Sequence, residues 1–144
     1  MSFGLSVGKM KAVTNPKILV VDDDVALAEC VDHFLQEAGF PVHVVNDSSD
    51  ALARITAKID GYDILISDNS MPHLSGSQLI EQARKAGFQG KIVVYSGSVS
   101  PDEELEFKAV GADVILRKPF DLKMLVPTIV DLCGHDRDDG QAPA

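Results

Sequence analysis

The sequence has no tryptophan, only two cysteines and two tyrosines, and no long hydrophobic run. A membrane-spanning helix needs about 20 consecutive apolar residues, whereas the longest runs here have the length of a β-strand, and the N-terminus lacks the apolar segment of a signal peptide. Basic residues are also scarce, because 13 lysines and arginines stand against 22 aspartates and glutamates, for a formal net charge of −9. We therefore expect a cytoplasmic protein that binds neither membranes nor nucleic acid, since no basic stripe is present to contact phosphates.

The two cysteines, Cys30 and Cys133, lack the spacing of metal ligands, and each falls in an apolar helical pattern. We predict that both are reduced thiols in the protein core. The length of 144 residues and the hydrophobic fraction of 45% fit one globular domain. Residues 1–15 and 134–144 show no sustained periodicity, so the predicted domain spans 16–133 between two flexible tails.

Between the tails, short apolar runs alternate with segments of helical periodicity. The predicted strands are 18–22, 42–45, 63–67, 91–95 and 113–116, and the predicted helices are 27–38, 48–59, 75–86, 101–110 and 121–133. This strict alternation predicts an α/β fold with a parallel sheet and helices on both of its faces. Pro127 falls past the first turn if the last helix begins at Leu122, so that helix either begins later or bends at the proline.

Acidic residues and one lysine lie where three of the predicted strands end. Asp22, Asp23 and Asp24 follow the first strand, Asp68 follows the third, and Lys118 follows the fifth. In a parallel α/β sheet, functional groups gather at the carboxyl ends of the strands. We assign Asp24 mainly to capping of the first helix. Asp22 and Asp23 then indicate a site for Mg²⁺, for which Mn²⁺ can substitute, because proteins usually hold Mg²⁺ with one or two carboxylates, waters and a phosphate.

Other residues at this edge indicate chemistry on a phosphoryl group. We interpret Asp68 as a nucleophile that forms an acyl phosphate, with the backbone carbonyl of Ser70 as a further metal ligand. The hydroxyl of Ser96 can bond a phosphoryl oxygen, and Lys118 can bind phosphate as a point charge. Simpler explanations are a turn for Asp68, the start of a loop for Ser96 and a solvated side chain for Lys118, as we expect for Arg117 beside it. The four histidines have no ligand spacing, and we assign them no catalytic role.

Five motifs, in this order, resemble those of the receiver domain of two-component response regulators, in the single-domain form of the chemotaxis proteins. Between residues 17 and 133 they are Val20–Asp24, Asp63–Asp68, Met71–Gly76, Ser96–Gly97 and Lys118–Phe120. The resemblance implies a flavodoxin-like, doubly wound (βα)5 fold with strand order 2-1-3-4-5. It also implies a role for each site residue: Asp68 as phosphoacceptor, Asp23 as direct Mg²⁺ ligand, Asp22 as a helper through water or orientation, Ser70 as carbonyl ligand, Ser96 as phosphoryl sensor and Lys118 as phosphate-binding lysine.

The resemblance further implies that a sensor histidine kinase or a histidine phosphotransfer protein donates the phosphoryl group. We expect slow hydrolysis of the aspartyl phosphate but no enzymatic activity on other substrates. Since no output segment follows residue 133, we expect a stand-alone receiver that signals through an unidentified protein target. The alternatives are a phosphate shuttle in a multistep phosphorelay, a phosphorylation-independent docking module and a metal-dependent phosphatase. The phosphatase needs a second acid two residues after the nucleophile, where this chain has Ser70.

One position departs from the family pattern. Three residues before Lys118 the family usually has a tyrosine or phenylalanine, which moves inward when the conserved hydroxyl is drawn toward the phosphate, and this chain has Ile115 there. We expect phosphorylation to survive this change and the usual signal path through the fourth helix, fifth strand and last helix to be altered. Tyr95, directly before Ser96, is a candidate for the missing role.

Overall fold

The computed structural model describes residues 15–58, 61–118 and 121–134. The predicted N-terminal tail up to residue 14, the C-terminal tail from residue 135, and Ile59, Pro119 and Phe120 lie outside the described residues. The predicted domain limits therefore stay predictions.

The described residues form five strands that alternate with five helices. The strands are β1 (Ile18–Val21), β2 (Val42–Val45), β3 (Ile64–Ser67), β4 (Lys91–Ser96) and β5 (Val114–Arg117), and the helices are α1 (Val25–Glu37), α2 (Ser48–Ala57), α3 (Gly76–Lys85), α4 (Pro101–Val110) and α5 (Leu125–Gly134). All strand pairs are parallel, and the order across the sheet is β2-β1-β3-β4-β5. The predicted α/β, doubly wound, flavodoxin-like fold is confirmed.

The boundaries of most elements differ from the predicted ones by a residue or two, and the last helix differs more. Leu122–Met124 form a 3₁₀ turn, and α5 begins only at Leu125. Pro127 therefore lies in the first turn of α5, where the backbone N–H groups have no partner within the helix. A later start, and not a bend, accommodates this proline.

The sheet is buried on both faces, which explains why its strands are continuous apolar runs. One face packs against α1 and α5, through Val31, Leu35, Leu125 and Ile129. The other face packs against α2, α3 and α4, through Ala51, Ile55, Leu79, Ile80, Ala83 and Phe107. These two layers fix the sheet and leave the carboxyl ends of the strands free for the loops that follow them.

The prediction of two core cysteines is confirmed for Cys133, which is buried in the cluster with α1 and α5, and wrong for Cys30, which is exposed. The buried stripe of α1 consists of Ala28, Val31 and Leu35. Cys30 directly precedes Val31, and neighbouring residues in a helix point about 100° apart, so the thiol falls outside the stripe.

Helix α4 has the fewest buried residues of the five helices in the described chain. It buries one side chain, Phe107, while Leu105 is 69% exposed. Polar contacts at the N-terminal end of α4 therefore matter more for its position than they do for the other helices.

Candidate functional site

Backbone hydrogen bonds beyond the strand ends bring the predicted site residues together. The N–H of Asp68 donates to the carbonyl of Val21 at 3.1 Å, and the N–H of Lys118 donates to the carbonyl of Ser96 at 2.9 Å. Each bond extends the parallel ladder past the last strand residue. Asp22, Asp68 and Lys118 are thus held side by side at the carboxyl edge of the sheet, as the sequence predicts.

The ammonium group of Lys118 lies between two carboxylates. Its Nζ is 2.7 Å from Oδ2 of Asp22 and 3.5 Å from Oδ1 of Asp68. The side chains of Lys118, Asp22 and Asp68 are only 12%, 5% and 13% exposed. Solvent and salt screen such shielded charges weakly. Lys118 is therefore part of the site and not the solvated side chain of the simpler explanation.

Asp22 is fixed by the loop that follows it. Its Oδ1 accepts the N–H of Asp24 at 2.9 Å, and its backbone carbonyl accepts the side-chain amide of Asn46 at 2.9 Å. Asp24 in turn caps α1 by accepting the N–H of Leu27 at 3.2 Å, which confirms its predicted role. Sequence reasoning missed Asn46, although it directly follows β2 at the same edge of the sheet.

Asp22, Asp23 and Asp68 form an acidic cluster in which one carboxylate oxygen from each residue lies within 4.8 Å of the other two. These are hard oxygen donors, the type that Mg²⁺ prefers, and the cluster contains no imidazole or thiolate to favour a softer metal. Three carboxylates and one ammonium leave a negative excess that a divalent cation would neutralise. The residues therefore fit Mg²⁺. The roles assigned to Ser70, which is exposed in the loop after β3, and to Asp23 stay predictions.

The electrostatic environment of Asp68 suits a nucleophile. Burial raises the pKa of this carboxyl above its ordinary value and the charge of Asp22 raises it further, while Lys118 and the N–H of Asn69 partly counteract both. The Asn69 N–H donates to Oδ1 of Asp68 at 2.7 Å. A carboxylate with a raised pKa is more basic and less well solvated, and both properties favour attack on phosphorus.

The loop after Asp68 requires a glycine at its end. The N–H of Gly76 donates to the carbonyl of Asn69 at 2.7 Å, and a Cβ at position 76 would lie 2.4 Å from the carbonyl oxygen of Asp68. Only glycine allows this approach. A capping box of Ser75 and Gln78 then starts α3. The motif Met71–Gly76 thus supports the backbone of the proposed nucleophile.

Ser96 is buried, and its hydroxyl makes one long contact, at 3.5 Å, to the carbonyl of Ser98. Such a contact is weak. Above it, the amide of Asn69 lies 3.4 Å from the carbonyl of Ser98 and 3.4 Å from Oε2 of Glu103. Asn69 therefore connects the loop after β3 to the first turn of α4. Sequence reasoning missed Asn69 and Glu103, because a link across two loops leaves no local pattern.

Arg117 is not simply solvated, contrary to expectation. Its guanidinium donates to the carbonyl of Val99 at 3.2 Å and lies 3.9 Å from the carboxylate of Glu104. The arginine thus connects β5 to the loop before α4 and to α4 itself. The side chain is half-exposed, so the ion pair with Glu104 adds little stability.

Tyr95 and Ile115 lie on opposite faces of the sheet. Ile115 packs against the cluster that contains Phe107 of α4, whereas Tyr95 belongs to the cluster with α1 and α5. Nζ of Lys118 lies 5.7 Å from the centroid of the Tyr95 ring. Burial and the negative charges of Asp121 and Asp22 raise the pKa of the Tyr95 phenol. Tyr95 therefore does not occupy the place that the usual aromatic residue takes next to α4.

The chain matches the sequence model of the response regulator receiver domain over residues 18–130. The chain belongs to this family of two-component signalling proteins. The strand order and the acidic cluster agree with this assignment.

Individual relatives agree with the family assignment. The chain is 34% identical over 126 residues to the response regulator MprA of Mycobacterium leprae, covering 88% of this chain and 54% of that protein. It is 27% identical over 113 residues to the transcriptional regulatory protein DltR of Streptococcus agalactiae, covering 78% of this chain and 50% of DltR. The structure is similar to the chemotaxis protein CheY4 of Vibrio cholerae, with a TM-score of 0.75, 33% identity, and coverage of 83% of this chain and 99% of CheY4.

The chain thus spans about half the length of MprA and DltR and nearly all of CheY4. The expectation of a stand-alone receiver therefore stays a prediction, as does the absence of nucleic acid among its partners. In the part of the chain that the structure describes, no helix combines the length and the apolar character needed to cross a bilayer.

Proposed function

We propose that this receiver accepts a phosphoryl group on Asp68 from a phosphohistidine of a sensor histidine kinase or a histidine phosphotransfer protein. The reaction depends on Mg²⁺, and the phosphorylated receiver signals through contact with another protein. One observation above all supports the proposal. Asp68, a shielded carboxylate with a raised pKa, lies 3.5 Å from a lysine ammonium and belongs to an acidic cluster suited to a divalent cation.

In the proposed reaction, a carboxylate oxygen of Asp68 attacks phosphorus as the bond from phosphorus to the histidine nitrogen breaks. The electron pair of the broken bond stays on the imidazole nitrogen, and the ring, which solvent water protonates on its other nitrogen before the bond breaks, leaves as neutral imidazole. Lys118 provides positive charge for the transferred group. Its Nζ is closer to Asp22 than to Asp68, so a small movement away from Asp22 brings it to a phosphoryl oxygen.

Two further groups are proposed to bind the phosphoryl oxygens. The Ser96 hydroxyl is buried at the same edge and holds only a long contact, so little is lost when it donates to a phosphoryl oxygen. The N–H of Asn69, which donates to Asp68 at 2.7 Å, lies next to the acceptor oxygen. Together with Lys118, these donors surround the position where negative charge arrives.

We assign Asp22, Asp23 and Asp68 as the residues that would hold Mg²⁺, with the carbonyl of Ser70 as a further ligand. The cation supplies neutralisation of the charge on the transferred group. Asp22 is oriented for this task by the N–H of Asp24 and, through its backbone, by Asn46. Asp23 is exposed and needs no rearrangement of the core to serve as a ligand.

A phosphate shuttle in a multistep phosphorelay is the second candidate, and Ile115 favours it. A shuttle needs a phosphoacceptor and little conformational change, whereas the usual readout uses a ring at this position. Ile115 has neither ring nor hydroxyl and packs against the core cluster that contains Phe107. Return of the phosphoryl group from Asp68 to a histidine phosphotransfer protein would distinguish the shuttle from a terminal receiver.

The test of the proposed function is intact-protein mass spectrometry after incubation with a small phosphodonor, with and without Mg²⁺. We expect one added phosphoryl group on the wild type in the presence of Mg²⁺. We expect none on Asp68→Asn, and a normal yield on Asp102→Asn, which makes the same change at an exposed site on α4. Equal phosphorylation of Asp68→Asn would refute the assignment. A folded wild type that accepts no phosphoryl group from small donors or phosphohistidine would favour the docking module.

A further inference from the structure

The hydroxyl of Tyr95 is buried and has no hydrogen-bond partner among the residues that the structure describes. Tyr95 is only 2% exposed. Buried polar groups are nearly always paired, so an unpaired one calls for an explanation. A phenylalanine at position 95 would fill the same space without an unpaired hydroxyl. The hydroxyl of Tyr95 therefore lowers the stability of the unphosphorylated state.

The position of Tyr95 relates it to the phosphoacceptor. The residue directly precedes Ser96 on β4, and Nζ of Lys118 lies 5.7 Å from the centroid of its ring. The same ammonium group is paired with Asp22 and lies 3.5 Å from Asp68. Any ligand on Asp68 that attracts Lys118 therefore changes the charge in front of the Tyr95 ring.

The other side of Tyr95 faces α1 and the start of α5. Its ring packs in the cluster that includes Val31 of α1 and Leu125 of α5. Outside this cluster, an open groove between the two helices is lined by Cys30, Phe34, Leu122 and Val126. Displacement of the Tyr95 ring thus acts on a surface that is distinct from α4.

We propose that Tyr95 is a positioning residue that transmits the phosphorylation state of Asp68 to the surface formed by α1 and the start of α5. The inference depends on the proposed function, since it requires a phosphoryl group at Asp68. In the resting state the Lys118 ammonium holds the ring against β4. When the phosphoryl group draws Lys118 away, the ring loses this cation, and its unpaired hydroxyl turns outward to solvent at the groove between α1 and α5.

The absence of a ring at Ile115 is consistent with this path. The usual aromatic residue would act on the face that α4 covers, and Tyr95 acts on the opposite face. A purely structural role for Tyr95 gives a different expectation. If the ring only fills the core, loss of its hydroxyl stabilises the free and the phosphorylated receiver equally.

The test uses Cys30 as a reporter, because this thiol is exposed on α1 at the groove, whereas Cys133 is buried. The rate of Cys30 alkylation is measured with and without Mg²⁺ and beryllium fluoride, a mimic of the phosphoryl group on a carboxylate. For the wild type we expect the mimic to change the rate by at least about threefold, because a displaced Tyr95 ring alters the surroundings of this exposed thiol at the groove. For Tyr95→Phe, with normal phosphorylation by intact mass, we expect most of this change to be lost.

Tyr62→Phe is the matched control. Its hydroxyl is 2.7 Å from Nδ1 of His43, away from the site, so the variant should respond to the mimic like the wild type. In that variant Tyr95 is also the single tyrosine of a chain without tryptophan, so its fluorescence must change when the mimic binds. This second measurement keeps Tyr95 intact and applies even if Tyr95→Phe does not fold.

The outcomes separate the two proposals. If the wild type accepts a phosphoryl group but Tyr95→Phe keeps the full change in Cys30 alkylation, the role of Tyr95 is refuted and the proposed function stands. Unchanged Tyr95 fluorescence in Tyr62→Phe on binding of the mimic would also refute the role of Tyr95 and leave the proposed function standing. If the wild type accepts neither a phosphoryl group nor the mimic, both proposals fail.

Discussion

Replacement of Lys118 by methionine should destabilise the protein strongly at neutral pH in the absence of metal. The change keeps most of the side-chain volume and removes the charge, which leaves Asp22 shielded without its cation at 2.7 Å. At an effective dielectric constant of about 20, a pair at this distance has an attraction of about 6 kcal/mol. Desolvation offsets part of it, and removal of one partner from a buried pair costs about 3–5 kcal/mol.

We expect a loss near the lower end of that range, about 3 kcal/mol in the free energy of unfolding, because Asp22 keeps its hydrogen bond from the N–H of Asp24. The loss should depend on pH. Lys118 lowers the pKa of Asp68, so its removal raises this folded-state pKa further above the unfolded value. A raised carboxyl pKa favours the fold at low pH, and this contribution is lost as the pH rises from the unfolded pKa through the folded one. The deficit of the variant should therefore be larger at pH 7 than at pH 4.

Urea unfolding followed by circular dichroism tests this expectation, at both pH values and with and without Mg²⁺. Mg²⁺ should reduce the deficit, because it binds the folded acidic cluster and replaces the missing positive charge. The control is Lys108→Met, which removes an exposed lysine of α4 and should change stability by no more than about 0.5 kcal/mol. A loss below about 1 kcal/mol at pH 7, or one that is equal at pH 4 and insensitive to Mg²⁺, would refute the reasoning.

Asp68→Asn should raise the urea midpoint of the metal-free protein at pH 7, because burial raises the pKa of Asp68 and its ionisation disfavours the fold. The substitution should have little effect below the ordinary carboxyl pKa of 3.8. An unchanged midpoint at pH 7 would contradict this expectation. Asp23→Asn should weaken Mg²⁺ binding in titration calorimetry, because it removes one proposed carboxylate ligand, while stability stays within about 0.5 kcal/mol. Gly76→Ala should lower both stability and the rate of phosphorylation, since a Cβ collides with the carbonyl of Asp68; normal values of both would show that the loop moves freely. Ile115→Ala should cost about 2 kcal/mol in unfolding free energy and leave phosphorylation unchanged, and lost partner response at unchanged stability would place Ile115 in the signal path.

The sequence predicted the fold because its local and long-range signals agree. Buried parallel strands are continuous apolar runs, and the residues that follow them, Asp22, Asp68 and Lys118, reach a common edge by topology alone. The start of α5 was harder to place, since helical periodicity continues through the 3₁₀ turn at Leu122–Met124.

The site residues that the sequence did not predict were missed for one physical reason. Asn46, Asn69 and Glu103 act through hydrogen bonds between segments far apart in sequence, and such contacts depend on loop conformation. The exposure of Cys30 was missed because a difference of one helical position decides between core and surface. The orientation of Tyr95 could be derived from the alternation of side chains along β4, given that Ile92 and Val94 face the other helical layer.

The capping boxes at the starts of α3 and α4 limit how far the loops of the site can move. Ser75 with Gln78 and Ser100 with Glu103 close both helix ends, and Pro101 restricts the first turn of α4. Only three residues, Gly97 to Val99, separate Ser96 from the cap at Ser100. So short a connection to a capped helix end leaves little room for a displacement of Ser96 to be absorbed as added disorder. A shift at the end of β4 must therefore either stay local or move α4 as a unit, which favours a two-state response over a graded one.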